Sequence, residues 1–173
     1  SDFVNAYVNK LVEQGIGIGV ITNHNKFDKN EFIVLKKKAL ERGVGLFPGV
    51  EFSLKEGIHV LIVFDDAWYK GNTDNINEFL RTAFYGVPNY DTPPYPNSTC
   101  DLITTVKRLD EIGHNYFIVL AHVDATNGLN NVLQGRTREA FIQHDSFSKV
   151  LAIQKSCNKE KYVSLCLFAG KEI

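Results

Sequence analysis

The chain has little cysteine, almost no net charge and no long hydrophobic run, and each shortage excludes a class of protein. Its cysteines are Cys100, Cys157 and Cys166, an odd number without C-x-x-C spacing, which excludes a disulfide framework and a zinc ribbon. Reduced thiols in a cytoplasmic protein are expected. Nineteen basic residues against twenty acidic ones leave a formal charge of -1, so no whole-domain field draws the chain to nucleic acid or anionic lipid. Any phosphate-bearing partner must be recognised locally. No stretch approaches the ~20 apolar residues that cross a bilayer, and the N-terminus lacks the basic and apolar blocks of a signal peptide. No membrane association is expected. Internal repeats, low-complexity tracts and an internal domain boundary are missing too.

What remains is 173 residues with 44% hydrophobic and 23% charged side chains, the composition of a soluble globular chain long enough for one sizeable core. A single domain over residues 1–173 is expected. With Ser1 as N-cap and Gly15 past its end, the first helix carries Phe3, Val4, Tyr7, Val8, Leu11 and Val12 at helical spacing. The β-branched run over 16–22 reads as a strand buried on both faces. A second helix is expected from Lys29 to Arg42, turning Phe32, Leu35, Ala39 and Leu40 inward and its lysines outward.

Strands are expected over 44–51 and 59–64, joined by a turn at Lys55-Glu56-Gly57, with a helix over 73–85. Residues 86–97 hold four of the five prolines and two tyrosines and form an irregular excursion, a kind of loop that often flanks sites. The glycosylation-like Asn97-Ser98-Thr99 reads as the N-cap of a helix over 100–112. A strand over 116–121, a helix over 136–143, a strand over 149–154 and a final helix over 160–168 complete the pattern. Hydrophobic strands with helical crossovers predict an α/β fold with a mainly parallel sheet or barrel.

In such folds the carboxyl ends of parallel strands open on one face, where functional residues gather. His24, Glu51 and His122 each close a strand. His59 begins one and fits less well. Imidazole and carboxylate together suit zinc, manganese or iron, ions that polarise a phosphoryl group and activate water. His114 and His144 read as surface or capping residues. Lys26, Arg136, Arg138 and Lys155 lie near the same rim as candidate contacts for phosphate oxygens. The glycines at 15, 17 and 19 lie inside the strand rather than after it, so they form no dinucleotide fingerprint, and neither a P-loop nor a Gly-x-Ser-x-Gly elbow is present.

The segments ITNHN (21–25), LFPGVEFS (46–53), GIHVLIVF (57–64) and VLAHVDATNGL (119–129) resemble, in order and spacing, successive motifs of the PHP (polymerase and histidinol phosphatase) superfamily. The nearest likeness is to PHP domains found ahead of ABC- or SMC-like ATPase regions. The resemblance implies an incomplete, distorted (β/α)7 barrel and a metal-dependent phosphoesterase, acting on a phosphoester such as nucleic acid or a nucleotide. It implies that His24 ligates an outer metal, that Glu51 bridges two ions, and that His59 and His122 complete the second ion's shell. Two positions depart from the family pattern: Asn23 stands for its usual aspartate, and Val123 for a frequent proline.

The family's first His-x-His and last Asp-x-His motifs are not in the chain. The expectation is therefore an internal PHP segment with an incomplete metal centre and little activity of its own, active only within an intact parent. The alternative is a noncatalytic PHP-like binding or regulatory module attached to an ATPase. An uncovered barrel edge along 16–22 predicts self-association.

Overall fold

A computed structural model describes residues 2–155 and the backbone of residues 164–167. Its six strands form one sheet whose spatial order follows chain order: β1 (Ile18–His24), β2 (Gly45–Ser53), β3 (His59–Phe64), β4 (Tyr116–Leu120), β5 (Val150–Lys155) and β6 (Ser164–Leu167). β1–β2 and β4–β5 pair in parallel. β2–β3, β3–β4 and β5–β6 pair antiparallel. The α/β class holds with a mixed sheet, and the expected parallel arrangement gives way at these three ladders. The link through Lys55-Glu56-Gly57 is too short for a parallel crossover and makes β2–β3 a hairpin.

The helices are α1 (Asp2–Glu13), α2 (Lys29–Leu40), α3 (Asn75–Ala83), α4 (Leu102–Ile112), the short α5 (Leu129–Val132) and α6 (Gly135–Gln143). Two sequence expectations about these elements need correction. The cap of α4 is Asp101, whose carboxylate accepts the Thr104 amide at 2.7 Å, while Ser98 is buried and its hydroxyl donates to the Cys100 carbonyl. Over residues 164–167 the expected helix gives way to β6, whose four residues pair with β5; the alternation Ser-Leu-Cys-Leu has the period of a strand. Residues 160–163 and 168 lie outside the described residues, as do Ser1 and Cys157 and the side chain of Cys166.

One face of the sheet is the floor of the core. Leu46, Val50 and Phe52 of β2, Val60, Ile62 and Phe64 of β3, and Ile118 and Leu120 of β4 are at most 2% exposed. They cluster with Phe32, Leu35 and Ala39 of α2 and with buried side chains of α3 and α4, each large side chain contributing about 1.5–3 kcal/mol relative to exposure. Leu40, expected inward, is 68% exposed, because α2 ends there and its inward stripe is already complete at Ala39. Lys36 is not free in solvent either: it pairs with Asp66.

β1 also departs from expectation. Ile18 is 73% exposed and no residue of the strand is fully buried, since β1 has β2 as its sole described neighbour and stands at an edge of the sheet. No described helix is long and apolar enough to cross a membrane.

Candidate metal centre

The ladders bring the sequence-predicted ligands to one end and one face of the sheet. His24, the last residue of β1, is the parallel partner of Glu51 in β2. Ser53, two residues beyond Glu51 and on its face, is the antiparallel partner of His59. Because β3 runs against β2, its first residue lies at the rim where β2 ends, which accounts for a histidine that begins its strand. His122 follows β4, with the Ala121 amide donating to the His59 carbonyl at 3.1 Å.

Three imidazoles converge on a single oxygen, Glu51 Oε1. His59 Nδ1 lies 3.1 Å from it, His122 Nε2 3.3 Å and His24 Nδ1 3.9 Å. The His24 and His59 rings meet edge to face at 4.7 Å between centroids, and His59 and His122 at 5.2 Å. In a tetrahedral zinc site with bonds of about 2.0–2.1 Å, ligand atoms are separated by about 3.3 Å; the His59 and His122 contacts with Glu51 Oε1 are near that spacing, and His24 at 3.9 Å is wider. His24, Glu51 and His59 offer ligand atoms that all lie within 4.8 Å of one another and could hold a metal ion. The residues able to hold one ion are therefore His24, Glu51 and His59, whereas the expectation placed His59 and His122 on one ion with Glu51 and set His24 on another.

The electrostatics suit a cation. The hydrogen bond from His59, helped by His122, overrides burial and holds the Glu51 carboxyl down at about 2. Burial pushes the His24 imidazole below its ordinary value; Glu51 opposes this shift, and His59 and His122 add to it. The cluster therefore presents an ionised carboxylate beside a neutral His24 ring, the protonation states that metal ligation requires. His122 Nδ1 is buried without a hydrogen-bond partner, a polar atom whose burial the protein alone does not compensate.

Several residues that sequence reasoning missed hold this cluster in shape. Ser53 Oγ meets His24 Nε2 at 2.9 Å, and the Tyr95 ring stacks on His24 at 4.0 Å and 13°. Tyr95 belongs to the proline-rich segment, which thus flanks the site as expected. Asn25, fully buried with φ of 51°, donates to the carbonyls of Tyr90 and Pro96 and accepts the Ser53 amide. It ties the segment to the rim. Gln154 of β5 takes the amides of both His122 and Val123, through its side chain and its carbonyl. That support accompanies the positive φ of His122, 29°, an uncommon conformation for a residue with a side chain.

The two departures from the family pattern fall outside the cluster. Asn23 pairs with Val50 in the ladder and is directed to the opposite face from His24 and Glu51. Val123 uses the amide that a proline would lack. Elsewhere, His144 caps the turn after α6 by accepting the Ser146 amide, and His114 packs edge-on to Trp68. Lys26, Arg136, Arg138 and Lys155 are all exposed, and Arg138 reaches Asn130. The one signal for the supporting residues was position: Ser53 shares the face of Glu51, and Asn25 sits beside His24. The chain matches no protein-family model and no curated protein sequence.

Proposed function

We propose that this cluster is the metal centre of a PHP-type phosphoesterase, and that the six-stranded sheet is part of a distorted (β/α)7 barrel of that kind. The observation that carries the reading is the convergence of His24, His59 and His122 on Glu51 Oε1. It comes from four separate segments, in the order in which the PHP motifs occur. His24, Glu51 and His59 hold a divalent ion, zinc, manganese or iron, with His122 Nε2 3.3 Å from the same carboxylate oxygen. Such an ion supplies Lewis acidity toward a phosphoryl oxygen and toward water.

The chain's own residues contribute orientation and charge. Ser53 and Tyr95 fix the His24 ring, Gln154 fixes the backbone at His122, and the Glu51 carboxylate supplies the negative charge. Lys26, Arg136 and Lys155 are the cations proposed to meet phosphate oxygens of a substrate such as nucleic acid or a nucleotide. Activity on a substrate and the attached ATPase region rest on the resemblance, and the cytoplasmic setting on the odd, unspaced cysteines. The test is zinc and manganese titration by calorimetry, followed by hydrolysis of bis(p-nitrophenyl) phosphate, on this chain and on a longer polypeptide containing the flanking motifs. Stoichiometric binding abolished by His59→Ala supports the centre, and turnover by the longer chain supports the hydrolase. Metal binding without turnover in either favours the noncatalytic module.

A further inference from the structure

The loop from His122 to Leu129 does more than deliver His122. It folds tightly on itself, the Ala125 amide donating to the His122 carbonyl at 2.7 Å and the Gly128 amide to the Ala125 carbonyl at 2.8 Å. Gly128 runs so close to the chain that a Cβ there would lie 2.3 Å from the His122 oxygen. This fold sets Asn127 against His59 at two points. The Asn127 carbonyl accepts the His59 amide at 3.1 Å, and the Asn127 side-chain nitrogen lies 3.3 Å from His59 Nε2. As the Asn127 amide is oriented its NH2 donates, which assigns His59 Nε2 as the acceptor and the ring proton to Nδ1, on the side of Glu51 Oε1.

We propose that Asn127 is the positioning residue that fits His59 for metal binding through Nδ1. The inference rests on the metal-centre reading given above. For Nδ1 to offer its lone pair to an ion, its proton must leave to solvent and Nε2 must take one from solvent, with no net change on the ring. Nε2–H then needs an acceptor. A half-turn of the Asn127 amide presents Oδ1 in place of Nδ2, so one side chain satisfies both forms of the ring. A serine hydroxyl plays the same double part at His24 Nε2, whereas a leucine could serve neither form and an aspartate only the metal-bound one. Outer partners of this kind fix the tautomer of ligating histidines and are worth about 10–100-fold in metal affinity.

Nitrogen-15 NMR of the imidazoles, with and without one equivalent of zinc, tests the assignment on the whole chain. The metal-free protein is expected to show His59 protonated on Nδ1. On zinc addition the proton moves to Nε2, and the Asn127 side-chain amide resonances shift as its NH2 loses its acceptor. Asn127→Leu, checked for folding by circular dichroism, should bind zinc about 10–100-fold more weakly, and Asn127→Asp should recover the affinity. A proton on Nε2 in the metal-free protein, zinc held through His59 Nε2, or wild-type affinity in Asn127→Leu overturns the inference and leaves the metal centre standing. Failure of the wild-type chain to take up zinc overturns the metal-centre reading and this inference with it.

Discussion

His59 stands directly opposite Ser53 across the antiparallel β2–β3 ladder, and this pairing joins a residue at the start of one strand to candidate ligands at the ends of two others. Reversal of β3 puts its amino end beside the carboxyl ends of β1 and β2. A parallel β3 would have carried His59 to the far end of the sheet.

Glu51→Gln removes the one carboxylate on which the three imidazoles converge. Its zinc affinity should fall by more than the ~10–100-fold associated with an outer partner, measured by competition with a chromogenic chelator. Wild-type affinity in the variant would show that Glu51 is no ligand.

The same residue predicts an acid response in the metal-free protein. Its carboxyl is held at about 2, below the ordinary 4.5, chiefly by the hydrogen bond from His59. A depressed carboxyl contributes stability that is fully present above the unfolded value and is lost as pH falls from about 4.5 toward about 2. Denaturant midpoints followed through that window should fall more steeply in wild type than in Glu51→Gln. Parallel curves would mean that the carboxylate is not held by its neighbours.

Gly128→Ala puts a methyl group 2.3 Å from the His122 oxygen and 2.5 Å from the Val123 carbonyl carbon. Backbone must move, at a cost of about 1–3 kcal/mol, read as a lowered urea midpoint. Gly17→Ala, where nothing lies within 4 Å, is the control and should leave the midpoint near wild type.

Asn25→Ala strips hydrogen bonds from the Ser53 amide and from the Tyr90 and Pro96 carbonyls. Loss of a buried partner costs about 1–3 kcal/mol, and the proline-rich segment should become the first site of limited proteolysis. Unchanged cleavage would show that Asn25 does not hold that segment.

The exposed edge of β1 is expected to drive self-association. Ile18 is 73% exposed, and no charged residue lies between Gln14 and Lys26 to oppose strand pairing. Sedimentation should show species larger than a monomer, reduced by Val20→Lys. A monomer in both proteins would mean that β1 does not self-pair.

Much of this was legible in the sequence because its causes are local. The apolar spacing of Phe32, Leu35 and Ala39, the β-branched strands and the glycines after helices encode elements through side-chain periodicity and backbone freedom. His24, Glu51 and His122 could be singled out because each stands where an apolar run gives way to polar residues. The identity of the α4 cap was less accessible, since Asn97, Ser98, Thr99 and Asp101 are all competent caps and only the path of the chain selects Asp101.

What the sequence determined by itself was a set of elements and four candidate ligands. Tertiary structure decided strand direction and edge. It turned β3 against β2 so that His59 joined the rim, left β1 with one described neighbour, and paired residues 164–167 as a strand. It also recruited Ser53, Tyr95, Asn127 and Gln154 around the imidazoles. The physical reason is that hydrogen bonds across a ladder or between loops depend on which backbone lies alongside. Periodicity tells which face of a strand is apolar, but not which neighbour will satisfy its polar groups.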